Sequence, residues 1–255
     1  MYIESQLIER KENKMAQKIK GKCKYCAKEY TYSYMSKHLS ACKERSAAEA
    51  GTGTRKSGYF ELAVYPCYGR DYWLFIEIDE KATLKDLDDF LRDIWLECCG
   101  HMSAFNIDGI SYDSDVEIDD FWGEPSEDMN HKLSKVLGKG MTFSYEYDFG
   151  STTELMITVV NYAKKALKKE KLTLLSRNNP HEYVCSECGK KPATILCTEC
   201  FYESGEGFLC EDCAKTHACD ECMQLPVCNS PRMGVCAYEG SDKYPDQFVP
   251  DVQTT

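Results

Sequence analysis

Residues 185–222 read CSECGKKPATILCTECFYESGEGFLCEDCAKTHACDEC. They hold four Cys-x-x-Cys pairs: Cys185/Cys188, Cys197/Cys200, Cys210/Cys213 and Cys219/Cys222. Each such turn offers two thiolates to one ion, and a tetrahedral zinc takes two half-sites. The stretch has too few large apolar residues to bury a core of its own. Metal bonds would supply the missing folding energy. A disulfide knot is the competing reading, but paired thiols without an export signal favour metal. Interleaving the pairs predicts one zinc on Cys185, Cys188, Cys210 and Cys213. A second falls to Cys197, Cys200 and His217, with Cys219 favoured as fourth ligand over Cys222 or Cys236. A third set, Cys219, Cys222, Cys228 and Cys236, competes for the same sulfurs.

Working outward, the N-terminal end repeats the theme. The run CKYCAKEYTYSYMSKHLSAC places Cys23, Cys26, His38 and Cys42 at the spacing of a small ββα finger whose last His is replaced by Cys. Tyr30 and Met35 fall where such a finger packs its miniature core, and Ser33 is placed to cap the short helix. The first 50 residues carry 11 Lys and Arg against 6 Asp and Glu, in a chain whose net charge is −11. Lys22, Lys24, Lys28, Lys37, Lys43 and Arg45 are therefore candidate phosphate contacts, with Tyr32 and Tyr34 as stacking rings. The bland alternative is a structural or protein-binding knob. An acidic chain does not coat nucleic acid along its whole surface.

Between these ends lies the one segment able to form a sizeable core. YFELAVY (59–65) and YWLFIEI (72–78) read as strands joined by a turn. Thr83 and Asp86 form a capping box opening a helix with Leu84, Leu87, Leu91, Ile94 and Trp95 on one face. A hairpin turning at Asp108-Gly109 and a brief helix over 131–137 follow. Phe143, Tyr145, Tyr147 and Phe149 then alternate with polar residues at the strand period, before Leu155–Val160. The order β-β-α-β-β-β, with one helix over a sheet, predicts an α+β domain of β-grasp type.

Asp148 and Glu146 are a candidate acid–base pair. The blander expectation is a wet hairpin face, with Asp148 accepting amide hydrogen bonds in the turn. No P-loop, nucleophile elbow or zinc-protease helix signature is present. Cys67, Cys98 and Cys99 are candidate thiols, the last two expected as small core residues at a helix end. His101, His131 and His181 lack a spaced partner and read as structural. The acidic run 108–128 reads as a solvated loop, with calcium the sharper alternative. Residues 163–180, AKKALKKEKLTLLSRNNP, read as a basic helix and loop whose lysines extend the finger's charge or simply face solvent.

The series YFELAVY, TLKDLDDFLRDIW, HMSAFNIDG and YEYDFG resembles the plasmid pRiA4b ORF-3-like family, a group also associated with transposon passenger elements. The likeness covers roughly residues 58–160 and is sharpest at YDFG, 147–150. His101 and Phe105 match the family's His-and-Phe segment. LPVCNSPRMGVCAYEG (225–240) resembles a tail of zinc-bearing members. After YDFG many members have an acidic residue, a Trp and a His, where this chain has Ser151, Thr152, Thr153, Glu154 and Leu155. The resemblance implies a prokaryotic protein linked to mobile elements and carries no established activity.

The expected organisation is a basic lead-in and finger (1–45), a linker (46–57), the central domain (58–165), a basic connector (166–184), a double-zinc module (185–240) and a disordered tail (241–255). The expected role is a cytoplasmic, non-enzymatic recognition protein with two to four zincs and no membrane partner. It would bind DNA or RNA through Lys22, Lys24, Lys28 and Lys37. Alternatives are a protein adaptor, docking a protein of the same mobile element through the C-terminal module, and an enzyme with its site in the central domain.

Overall fold

The computed structural model of the chain describes residues 19–50, 54–115 and 126–251. The expectations for residues 1–18, for 51–53 of the linker, for 116–125 of the acidic run and for the last four residues lie outside these. A ten-stranded sheet runs through the molecule. In chain order its strands are β1 (Lys20–Cys23), β2 (Glu29–Thr31), β3 (Lys56–Pro66), β4 (Leu74–Asp79), β5 (Ser103–Ile107), β6 (Ile110–Asp113), β7 (Glu127–Asp128), β8 (Thr142–Tyr147), β9 (Thr153–Ala166) and β10 (Leu172–Asn178). They lie in the order β2-β1-β10-β4-β3-β9-β8-β5-β6-β7, antiparallel except for β6 and β7.

The strand period decides which residues meet which layer. On one face Phe60, Leu62 and Val64 of β3 and Leu74, Ile76 and Ile78 of β4 meet the helix Leu84–Leu91 and its π-helical continuation Arg92–Leu96. Leu84, Leu87, Leu91, Ile94 and Trp95 are all completely buried there. The capping box forms: the Thr83 hydroxyl accepts from the Asp86 amide and the Asp86 carboxylate from the Thr83 amide. The β5–β6 hairpin turns at Asp108 and Gly109 with φ of 52° and 83°, the left-handed pair that a two-residue hairpin requires.

The opposite face of β3 and β4 is not wet. Ala63, Tyr65, Trp73 and Phe75 pack there against Cys23, Met35, Leu39 and Cys42. The finger is thus the second covering layer of the sheet and not a separate knob. Its strand β1 pairs with β10, register Gly21 to Asn178, and its helix Tyr32–Ala41 lies on the sheet. The helix starts one residue before Ser33, with Thr31 at the cap making no side-chain cap bond, so Ser33 does not cap it. A second short helix, Lys43–Glu49, occupies the start of the expected linker.

Two further expectations are corrected. Residues 163–180 hold no helix: β9 runs to Ala166 and β10 fills the open edge of β4, pairing Leu172 with Ile78 and Leu174 with Ile76. A long-range strand partner outweighs the local helix preference of Ala, Lys and Leu. Nor is the tail loose up to Asp251. Phe248 is buried, Tyr244 packs on Phe90, and the Asp251 amide donates to the Lys24 carbonyl at 3.0 Å.

Residues 185–240 carry a small sheet of three strands, β11 (Ile195–Cys197), β12 (Phe208–Leu209) and β13 (Gln224–Pro226), ordered β12-β11-β13. The buried residues of its apolar cluster are Cys197, Leu209 and Ala214.

Candidate metal centres

None of the sixteen cysteines forms a disulfide. Four groups of Cys and His bring their ligand atoms within 4.8 Å of one another, and all four are able to hold a metal ion. The first is Cys23, Cys26, His38 and Cys42. Cys26 Sγ lies 3.3 Å from His38 Nε2, and the Cys23 and Cys42 sulfurs are 4.0 Å apart. The knuckle at the first two cysteines is tight enough to hold Ala27 at a φ of 56°. Tyr30 stacks on His38 at 4.2 Å, and burial lowers the imidazole's pKa, keeping it neutral for ligation.

The second group is Cys185, Cys188, Cys210 and Cys213. Amides of the Cys185–Gly189 turn point at the Cys185 sulfur. The Cys188 amide is the largest influence drawing that thiol down to about 6, so it is ready to bind as thiolate. The third is Cys197, Cys200, His217 and Cys219. Cys200 Sγ lies 3.4 Å from His217 Nε2 and 3.6 Å from Cys219 Sγ. His217 turns its other nitrogen, Nδ1, to the Glu187 carboxylate at 2.6 Å. A carboxylate behind a ligating imidazole fixes its tautomer and raises its basicity. The two groups interleave along the chain, and Cys219 rather than Cys222 or Cys236 completes the third. The competing set Cys219, Cys222, Cys228 and Cys236 does not assemble. Cys222 is exposed outside any group, and Cys228 is buried, with Arg177 and Asp246 as charged neighbours.

The fourth group, Cys98, Cys99, His101 and Cys236, departs from the expected pairings. Cys98 is half-buried against the edge of the core, but Cys99 is exposed and not the core residue expected, and His101 is not without a partner. A Cys-Cys-x-His run is itself a half-site in the sequence, disguised by lying at the end of an apolar helix. His131 pairs with Glu127 at 2.9 Å, and His181 Nε2 lies 3.0 Å from the Asp71 carbonyl. Cys67 is exposed, yet partial desolvation and Glu154 push its thiol up to about 11, away from reactivity.

The YDFG segment leaves the strand early. Asp148 has a φ of 65°, so Phe149 swings out to 49% exposure instead of continuing the apolar face. Asp148 is buried. Its Oδ1 accepts from the Gly150 and Ser151 amides at 3.1 and 3.2 Å, and its Oδ2 accepts from Arg232 at 2.6 Å. Burial raises the carboxyl pKa, but Arg232 and the turn amides outweigh it and hold the group below the usual range. The blander expectation for Asp148, a carboxylate accepting amide hydrogen bonds in the turn, is the arrangement seen. Arg232 comes from the NSPR run (229–232), whose Asn229 and Ser230 also bond the backbone and indole of Trp95 and the side chain of Asn178.

The candidate phosphate contacts separate into two kinds. Arg45 is buried between Glu61 and Glu77 at 2.8 Å each, and Lys24 pairs with Asp251 at 2.6 Å. Lys165 and Lys168 both reach Glu49 and Glu77, and Lys171 reaches Asp86. Lys28, Lys37 and Lys43 are exposed and Lys22 half-buried, with no ion pair among the described residues.

The sequence model of the plasmid pRiA4b ORF-3-like protein family matches residues 70–189. Residues 70–189 belong to that family. The pRiA4b ORF-3-like segment thus starts after β3 and ends inside the second metal group, a span shifted toward the C-terminus from the one the motifs suggest. A solved structure, a protein of unknown function from Methanosarcina mazei Go1, is similar at 20% identity and a TM-score of 0.40, over 46% of this chain and 68% of that one. No curated protein matches the chain. Among the described residues no helix is long and apolar enough to cross a membrane.

Proposed function

We propose that the chain is a non-enzymatic recognition protein of mobile elements, held together by zinc, that binds nucleic acid through its N-terminal finger. Thiolate and imidazole donors in fours suit tetrahedral zinc better than harder divalent ions. The observed edges, from 3.3 to 4.0 Å, scatter about those of that ion: about 2.3 Å to sulfur and about 2.0–2.1 Å to nitrogen put tetrahedral neighbours about 3.5–3.8 Å apart. The β-grasp description of the central domain belongs to this reading too, supported by its strand–helix order and by the helix Leu84–Leu91 packed on one face of the sheet.

The observation that carries nucleic-acid binding is the division of the cations. Of the connector lysines, Lys165 and Lys168 neutralise the buried carboxylates of Glu49 and Glu77, while Lys22, Lys28 and Lys37 of the finger have no ion pair among the described residues. Tyr34, 66% exposed, stands one helical turn before Lys37 and offers a ring for a base to stack on. A mobility-shift titration of zinc-loaded protein at low salt should retard short DNA or RNA. Replacing Lys22, Lys28 and Lys37 by Ala should weaken binding. The log–log salt slope should flatten by about 0.7–0.9 for each of these lysines that meets a phosphate. Protein that leaves both nucleic acids unshifted at low salt sinks the reading.

A second reading rests on the C-terminal module. Residues 185–222 carry 8 Asp and Glu against 3 Lys, and thiolates in excess of the ion's charge make it more acidic still. Such a surface fits a basic protein partner better than a phosphate backbone.

A further inference from the structure

We propose that Cys98, Cys99, His101 and Cys236 form a fourth zinc site, a solvent-reachable clamp that ties the C-terminal segment to the pRiA4b ORF-3-like domain, with Asp148 of the YDFG turn orienting His101. The inference stands apart from the recognition reading and does not need it.

The geometry is that of the other groups. Cys236 Sγ lies 3.6 Å from Cys99 Sγ and 3.5 Å from His101 Nε2. These are edges of a zinc tetrahedron, far from the bond of about 2.05 Å in a disulfide. His101 turns Nδ1 toward Asp148 Oδ1 at 3.6 Å, repeating the order carboxylate, imidazole, thiolate that Glu187, His217 and Cys200 show in the third group.

The surroundings are arranged for it. The π-helical turn Arg92–Leu96 ends in a bend that presents both adjacent thiols. Glu97 holds the bend, accepting from the Gly100 amide at 2.6 Å and the Tyr147 hydroxyl at 3.2 Å. Across the gap Cys236 sits at a φ of 55°, a backbone state that a non-glycine residue keeps only where its surroundings impose it. Arg232 is fully buried beneath the site, bonded to Asp148 and 3.5 Å from Cys98 Sγ. Three thiolates, one carboxylate and a divalent ion leave two negative charges, and the guanidinium offsets one.

The site differs from the other three in access. Cys99 and Cys236 are both exposed, whereas each of the other groups buries at least one thiol. Its zinc should therefore be the first to leave. Since it joins positions 135 residues apart, its loss would free the C-terminal segment from one anchor.

The test uses the full chain, reduced and zinc-replete. Native mass spectrometry should count four zincs. A weak chelator should remove one well before the others, and of the sixteen cysteines, once the exposed Cys67 and Cys222 outside the groups are discounted, iodoacetamide labelling mapped by mass spectrometry should then appear first at Cys98, Cys99 and Cys236. Cys236→Ser should bind three. Asp148→Asn should keep four but lose the first about 10–100-fold faster, with release from the other three unchanged. Three zincs in the wild-type chain, or Cys98, Cys99 and Cys236 alkylated while zinc is bound, or a Cys99–Cys236 disulfide in protein kept reduced, would overturn the proposal. These wild-type readouts decide it even where a variant fails to fold. Asp148→Asn releasing zinc at the wild-type rate would remove the positioning role.

Discussion

Arg45 anchors the finger to the sheet. It donates to Glu61 and Glu77 at 2.8 Å, to Glu49 at 3.1 Å and to the Leu39 carbonyl at 3.2 Å, while 5% exposed. With Lys165 and Lys168 it balances three carboxylates in a place where an unpaired charge is costly. Arg45→Met leaves Glu61 without an ion pair, and should destabilise the protein by about 3–5 kcal/mol in urea unfolding. Glu49 makes a pH prediction. Burial pushes its carboxyl up, but Lys165, Arg45 and Lys168 outweigh that and bring it to about 2, against an ordinary value of 4.5. A depressed carboxyl stabilises fully above its unfolded pKa and loses that contribution as pH falls through its folded one. The wild type's advantage over Glu49→Gln should be full above about pH 4.5 and shrink toward pH 2, read as the difference between the two denaturant midpoints. Glu61 is readable in the sequence as the polar member of an alternating strand. Its burial is not, because its partner sits 16 residues away on another element.

The elements that local rules describe are those the sequence shows best. The capping box, the Asp108-Gly109 turn and the helical face from Leu84 to Trp95 each depend on residues within a few turns of one another. β10 depends on β4, so its own residues read locally as the end of a helix. β1 makes the same point more sharply. It fits beside β10 because Gly21 has no side chain: a Cβ there would stand 2.1 Å from the Arg177 carbonyl oxygen and 2.6 Å from the Trp73 ring. Gly21→Ala should lift β1 off the sheet. Limited proteolysis would then release a fragment containing residues 19–50 that the wild type retains; equal resistance of the two proteins would contradict this docking.

At the scale of the whole molecule, two kinds of cohesion are joined. The sheet between β3 and β10 has an extensive apolar core, whereas the C-terminal module's own apolar cluster centres on only Cys197, Leu209 and Ala214. Chelating all metal should therefore open residues 185–222 to protease while 56–178 survive and the far-ultraviolet β signal persists. Simultaneous collapse of both would show the sheet to depend on metal as well. The sequence by itself determined the half-sites, because a Cys-x-x-Cys turn and its backbone amides are complete within a few residues. It determined the alternation of the strands for the same reason. Only the tertiary structure decided that Cys236 crosses to Cys98, Cys99 and His101, and that the finger covers the sheet. Those pairings compare the free energies of contacts between distant segments, and no local pattern of residue types encodes that comparison.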